Sequence, residues 1–81
     1  MANWRKRYQT IKRSVKNADI KTVMNIYRRL GFSERKGRGD HVVFFHPTYG
    51  ISSIDSGTQK PAKYAERLIE IIETNDLEAN L

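Results

Sequence analysis

The chain has 81 residues, with 15 Lys and Arg against 9 Asp and Glu, and a formal net charge of +6. A chain of this length folds as one small domain that buries only about 60 to 65% of its unfolded surface, which argues against a large buried cofactor or a deep cleft between two domains. Because there is no cysteine, a disulfide framework and a thiolate metal site are excluded, as expected of an intracellular protein.

The positive charge is concentrated in the first half of the chain. Residues 1–40 carry twelve Lys and Arg against three acids, whereas residues 41–81 carry three against six. Such a basic region is typical of proteins that bind the phosphate backbone of nucleic acids, because each neutralised phosphate releases condensed counterions. The alternative is a charged surface that only keeps the protein in solution.

The apolar residues are scattered in short runs. None approaches the ~18 residues that a membrane span requires, and the opening residues lack the apolar stretch of a signal peptide. We therefore expect a cytoplasmic protein that contacts no membrane.

The first predicted element is a basic amphipathic helix over residues 1–17. Its apolar stripe has the intervals of four, three and four that are typical of a helix, and consists of Trp4, Tyr8, Ile11 and Val15. We expect this stripe to pack against the core. The alternative is a helix whose basic face lies on a membrane or grips RNA.

A second helix is predicted after the turn at residues 16–19, with Asn17 or Asp19 as its N-cap. Gly31 ends this helix, because glycine readily adopts the left-handed conformation found after a helix C-terminus. Arg28 and Arg29 in the last turn suit the negative helix end. The predicted buried face comprises Ile20, Val23, Met24, Tyr27 and Leu30.

Beyond Gly31 the apolar period changes from 3.6 to about two, which predicts three strands. They are "FSERK" at 32–36, "HVVFFH" at 41–46 and "GISSID" at 50–55, with a hairpin turn at "PTYG". Pro61 suits the first turn of a final helix that ends near Thr74. The face predicted to be buried consists of Ala65, Leu68, Ile69 and Ile72.

These elements predict a single α+β domain over residues 1–81. It consists of the N-terminal helix (1–17), a core (18–74) and an acidic, frayed tail (75–81). Helices are expected to pack on one face of a three-stranded antiparallel sheet. The other face and the loops then remain open to solvent, and we expect a ligand to bind there.

The loop between the first two strands is the strongest candidate for a binding site. Gly37 and Gly39 permit a sharp turn and a close approach of the backbone to an anion. Arg35, Lys36 and Arg38 add charge for a phosphate, and the guanidinium of an arginine can bind two of its oxygens. The alternative is an ordinary glycine hairpin.

His41 follows this loop at the start of the second strand. Histidine is the natural proton-transfer group near neutral pH, and a positioned one typically contributes about 10²- to 10⁴-fold. In RNA the 2′-hydroxyl beside each phosphate is an internal nucleophile, so a base and a few cations suffice for a minimal ribonuclease site. The alternative for His41 is a surface or capping residue. Asp40 could orient the ring only if the end of the loop were bulged.

His46 lies five positions further on. Strand alternation places it on the opposite face from His41, so the two do not form an acid/base pair or share a metal ion. We expect His46 and Pro47 to begin the hairpin turn. The sequence has no cluster with metal-ligand spacing and no serine in a nucleophile motif.

Taken in order, these motifs resemble the HicA toxins of bacterial toxin–antitoxin pairs. They are a helix ending in "LGF", a short strand, a "GRG" loop, His41, "VVFFHP", a third strand, and "KP" before a helix. The resemblance extends over residues 19–72. Its most specific part is Gly39-Asp40-His41, followed by the strand and His46-Pro47.

This resemblance implies a double-stranded-RNA-binding-domain-like fold and cleavage of mRNA without a metal cofactor. It also implies a HicB-type antitoxin that covers the active face, and it makes His41 the catalytic histidine. Asp40 stands where the family usually has serine, and residues 55–59, "DSGTQ", stand where many members have a histidine or proline.

Three hypotheses follow from the sequence. The first is a HicA-like ribonuclease with His41 as general base or acid, and with Arg35, Lys36 and Arg38 holding phosphate beside Gly37 and Gly39. The second is a non-catalytic module that binds structured RNA through shape and 2′-hydroxyl contacts. The third is an interaction protein whose basic face meets an acidic partner.

Overall fold

The computed structural model describes residues 3–81, and the first two residues of the predicted N-terminal helix lie outside this range. The elements follow in the order α1 (Trp4–Arg13), a 3-10 turn (Val15–Asn17), α2 (Ile20–Arg29), β1 (Ser33–Lys36), β2 (His41–His46), β3 (Gly50–Asp55), α3 (Ala62–Thr74) and a second 3-10 turn (Glu78–Asn80). The predicted α+β class is therefore confirmed.

The helix α1 packs against the core through its apolar stripe, as predicted. Tyr8 and Ile11 are buried, and Trp4 is partly buried against the same cluster. The helix ends at Arg13 rather than at residue 17, and Val15 packs against the cluster from the 3-10 turn that follows. Asn3 is the N-cap of α1, and its Oδ1 accepts a hydrogen bond from the Lys6 N–H at 3.0 Å. This bond satisfies one of the backbone donors that a helix N-terminus leaves free.

The helix α2 has the caps that its sequence predicts. Asp19 rather than Asn17 is the N-cap, and its Oδ1 accepts from the Lys21 N–H at 3.2 Å. Gly31 follows the helix with a φ of +90°, in the left-handed region that favours glycine. The buried residues of α2 and its C-cap are Val23, Met24, Ile26, Tyr27 and Leu30.

The sheet is antiparallel with the order β1-β2-β3. Phe44 in the central strand is fully buried, and its ring stacks on that of Tyr27 with centroids 5.1 Å apart. The Tyr27 hydroxyl also donates to Ser52 Oγ at 3.1 Å. Even-numbered residues of β2 and β3 therefore face the helices, and odd-numbered ones face solvent. On this open face Phe45 is 46% exposed and Ile51 is 61% exposed.

Two predictions concern the C-terminal part of the chain. Ile71, not Ile69, is buried in α3, where Ile69 is only partly buried against the core. The tail, for which a frayed segment is predicted, contains Leu77, which is only 3% exposed. Arg5 Nη2 also donates to the Ala79 carbonyl at 3.3 Å, which ties the tail to α1.

Within residues 3–81, every helix is too short or too polar to cross a membrane.

Candidate functional site at the β1–β2 loop

The loop between β1 and β2 is a tight turn that ends at His41. The Gly37 N–H donates to the His41 carbonyl at 2.8 Å, and the His41 N–H donates to the Arg38 carbonyl at 3.0 Å. Gly39 has a φ of +58°, a conformation that costs other residues about 1 to 2 kcal/mol. The sharp turn expected from the two glycines is thus present.

The ring of His41 is held by the same turn. Its Nδ1 lies 3.2 Å from the Arg38 carbonyl oxygen. Since a carbonyl only accepts hydrogen bonds, this contact places the proton of the neutral ring on Nδ1. The other nitrogen, Nε2, then carries the lone pair and is the atom able to take a proton from a ligand.

His41 borders a surface cavity of about 470 Å³ at this end of the sheet. The cavity lining consists of Glu34, Lys36, Gly39, Asp40, His41, Val42 and Ser56. The structure therefore brings together three of the predicted site residues, namely Lys36, Gly39 and His41. The register pairs Lys36 with Val42, so the Lys36 side chain leaves the sheet on the helix side, whereas the His41 side chain leaves it on the open side. The two residues therefore border the cavity from opposite faces at the end of the sheet, with the Gly39 turn between them.

The other two predicted cations lie differently. Arg35 pairs with Val43 in the sheet register and lines a separate groove on the open face, beside Phe45 and Ile51. Neighbouring residues of a strand point to opposite faces, so Arg35 and Lys36 serve different surfaces. Arg38 contributes its carbonyl to His41, and its side chain is not part of the cavity lining.

Asp40 is anchored by the segment that follows β3. Its carbonyl accepts from the Ser56 N–H at 2.8 Å and from Ser56 Oγ at 2.7 Å. Its Oδ2 lies 2.6 Å from the position that a Cβ on Gly57 would occupy. Gly57 therefore makes room for the Asp40 carboxylate. Sequence analysis missed Ser56 and Gly57, because only the fold brings them to the loop.

Glu34 is a second acid in the cavity lining, also missed from the sequence. Two hydrogen bonds from Arg28 hold its carboxylate, from Nε at 2.9 Å and from Nη2 at 2.6 Å. The Arg28 hydrogen bonds lower the pKa of Glu34 from its ordinary value. Strand alternation was the signal that could have found it, since residues 34 and 36 share a face.

His46 is remote from this site, as predicted. Its ring stacks on Tyr49 with centroids 4.3 Å apart, and its Nδ1 accepts from the Thr48 N–H at 3.0 Å in the hairpin turn. Five residues of strand separate it from His41 by about 16 Å. Across residues 3–81, no three His, Cys, Asp or Glu side chains are grouped closely enough to hold a metal ion.

Comparison of the chain with protein-family models, with curated proteins and with solved structures gave no match. The resemblance to HicA therefore depends on the sequence motifs alone.

Proposed function

We propose that the protein is a HicA-like ribonuclease that cleaves mRNA without a metal ion and is neutralised by a HicB-type antitoxin. The observation that carries the proposal is the position of His41 at a cavity that the Gly39 turn and, from the other face of the sheet, Lys36 also line, with His41 Nδ1 on the Arg38 carbonyl. This arrangement leaves Nε2 as the base and provides a cation for the phosphate.

The proposed reaction uses the ribose of the substrate as its nucleophile. His41 Nε2 takes the proton from the 2′-hydroxyl, and the 2′-oxygen attacks the adjacent phosphorus. The bond to the 5′-oxygen breaks, and that oxygen leaves with a proton returned by the imidazolium or by water. The products are a 2′,3′-cyclic phosphate and a 5′-hydroxyl. Lys36 opposes the charge that builds up on the phosphate oxygens in the transition state.

The decisive experiment compares the two histidines of the chain. Wild type, His41→Ala and His46→Gln are expressed in a bacterium, and growth and RNA integrity are followed; the purified proteins are then incubated with RNA in the presence of EDTA. We expect His41→Ala to lose about 10²- to 10⁴-fold in cleavage rate. His46→Gln, the matched control on the other side of the sheet, should retain cleavage. Equal growth and equal RNA integrity for wild type and His41→Ala would refute the catalytic role.

A second candidate is the non-catalytic RNA-binding module. Asp40 in the cavity lining favours it, because the repulsion between an acid and a phosphate grows as the phosphate gains a second negative charge in the transition state, so cleavage is opposed more than binding. Under this hypothesis His41→Ala binds structured RNA as well as wild type does. The affinity would fall steeply with salt, and substitution of Arg35 or Arg38 would weaken binding directly. The absence of any salt-dependent shift in a gel would instead favour an interaction protein.

A further inference from the structure

The two edges of the sheet are protected to very different degrees. β1, at one edge, is four residues long, and three of them are charged: Glu34, Arg35 and Lys36. β3, at the other edge, is six residues long and contains no Lys, Arg or Pro. Charged residues, proline and short length are the usual means by which proteins prevent an edge strand from pairing with another chain. The β3 edge has no proline, is two residues longer than β1, and carries its single charged residue, Asp55, only at its end.

The ladder shows which backbone groups of β3 point outward. The Ser56 N–H donates to the Asp40 carbonyl at 2.8 Å, which makes residues 40 and 56 a hydrogen-bonded pair. Hydrogen-bonded and non-hydrogen-bonded pairs alternate along an antiparallel ladder. In the observed register, residues 50, 52 and 54 therefore bond to β2. The N–H and C=O groups of Ile51 and Ser53 point away from the sheet.

A groove of about 390 Å³ runs beside this edge, between β3 and the first half of α3. Its lining consists of Tyr27, Ile51, Ser52, Ser53, Ile54, Lys63, Tyr64 and Arg67. It thus contains two cations and no acid. Arg67 Nη1 lies 3.5 Å from Glu70 Oε1, but this exposed pair is worth at most about 1 kcal/mol and can be exchanged for another carboxylate.

We infer that the outer edge of β3 binds an extended acidic segment of a partner protein, which adds to the sheet as a fourth strand. The main chain of such a segment pairs with the N–H and C=O groups of Ile51 and Ser53. Its alternate side chains face Lys63 and Arg67 on one side and Ile51 on the other. The segment therefore alternates acidic and apolar residues.

A nucleic acid satisfies this edge less well. Phosphate oxygens can accept from the two N–H groups and can pair with Lys63 and Arg67, but they cannot donate to the carbonyls of Ile51 and Ser53. A peptide strand provides both donors and acceptors at the required spacing. The inference does not depend on ribonuclease activity, because none of the groove residues borders the His41 cavity.

The test uses two end-blocked synthetic peptides, one with four Glu-Val repeats and one with four Lys-Val repeats. Binding is measured by calorimetry, and amide hydrogen exchange is followed by NMR. We expect the Glu-Val peptide to bind and to slow exchange of the outward-pointing Ile51 and Ser53 amides at least about tenfold, because these groups become hydrogen-bonded on binding. The Lys-Val peptide should do neither.

Variants of the protein test whether the peptide binds in the groove beside β3. Arg67→Glu should weaken binding of the Glu-Val peptide about tenfold or more, whereas Lys21→Glu on the exposed side of α2 should not. Ser53→Pro removes one outward N–H at a position where an edge strand tolerates proline, and should also weaken binding. Any of three results would overturn the inference: binding without protection of the Ile51 and Ser53 amides, equal binding of both peptides, or no binding of either. Protection of the same amides by a single-stranded oligouridine, but not by the Glu-Val peptide, would assign the groove to nucleic acid instead.

Discussion

Gly37 and His41 face each other across the β1–β2 hairpin so closely that a Cβ on residue 37 would lie 3.4 Å from both the Cβ and the carbonyl oxygen of His41. A Cβ at this distance would be in van der Waals contact with both backbone and side chain, which leaves no room for a branched side chain. A branched residue at position 37 would therefore press on the His41 Cβ, from which the imidazole extends. Gly39, two residues on, has open space around its Cα but a left-handed φ.

We expect these two glycines to respond differently to substitution. Gly37→Val places a branched side chain against His41 and should lower RNA cleavage about tenfold or more, since small misplacements of a catalytic group are costly. Gly39→Asn should retain activity, because asparagine tolerates the left-handed region, whereas Gly39→Ala should lose about 1 kcal/mol of stability. Cleavage assays and urea unfolding measure the two effects. Full activity of Gly37→Val would show that the contact does not position His41.

Asp40 provides a second test of the site. Replacing it by serine removes a negative charge from the cavity beside His41, and about 1 kcal/mol of repulsion from a bound phosphate would be relieved at 4 Å in water. We expect Asp40→Ser to bind RNA about fivefold more tightly than the parent. Gel shifts in a His41→Ala background avoid cleavage during the measurement. Asp76→Asn in the tail is the control for net charge, and an equal gain in that variant would contradict a local effect.

The ion pair of Arg28 and Glu34 predicts how stability depends on acid. Because the folded state lowers the pKa of Glu34, the ionised carboxylate adds to the free energy of unfolding. This contribution is complete above the ordinary glutamate pKa of about 4.3 and is lost as the pH falls through the lower pKa of the folded state. Because the pair is partly exposed, Glu34→Gln should cost less than about 1 kcal/mol at pH 7. Urea unfolding at several pH values should show that the difference in the free energy of unfolding between wild type and Glu34→Gln disappears in acid. A constant difference at all pH values would mean that packing, not charge, is responsible.

Tyr8 and Tyr27 form a matched pair of buried tyrosines. Within residues 3–81 the Tyr8 hydroxyl has no hydrogen-bond partner, whereas Tyr27 donates to Ser52. Tyr27→Phe should therefore cost about 0.5 to 1.5 kcal/mol, while Tyr8→Phe should leave stability at pH 7 unchanged or slightly raised.

The same pair predicts behaviour in alkali. Burial first, and then Glu73 and Glu78, raise the pKa of Tyr8 to about 12 from 10.0. Its protonated form is favoured in the folded state, so the stability it contributes is complete below pH 10 and is lost as the pH rises to about 12. Over this pH interval, the free energy of unfolding measured with urea should change less with pH for Tyr8→Phe than for wild type. Identical pH profiles would contradict the raised pKa.

Much of the fold could be predicted because the local signals agree with the tertiary structure. The bounds of β2 and β3 match the predicted segments, since a β-rich run is followed there by an unambiguous turn. In α3, Ile71 is buried and Ile69 is only partly buried, because both lie close to the helix face centred on Leu68 and Ile72, and periodicity alone does not decide which is covered. Leu77 belongs to the core cluster although it lies beyond α3 in an acidic segment, whose composition indicates a frayed tail.

The candidate site was predictable only in part. Gly37, Gly39 and His41 lie within five residues of one another in sequence, and they form one turn in the fold. Arg35 and Lys36 were grouped by charge, although alternation within a four-residue strand separates them. Ser56 and Gly57 come to the loop only through the pairing of β2 with β3, which no local pattern specifies.

The contacts between the tail and α1 have a topological consequence. Arg5 reaches the Ala79 carbonyl, and Gln9 Nε2 donates to Glu78 Oε2 at 3.3 Å, so the first and last helical segments of the described chain lie side by side. A short linker could join them without displacing the core. The fold should therefore tolerate circular permutation, with new termini opened in an exposed loop such as residues 58–60.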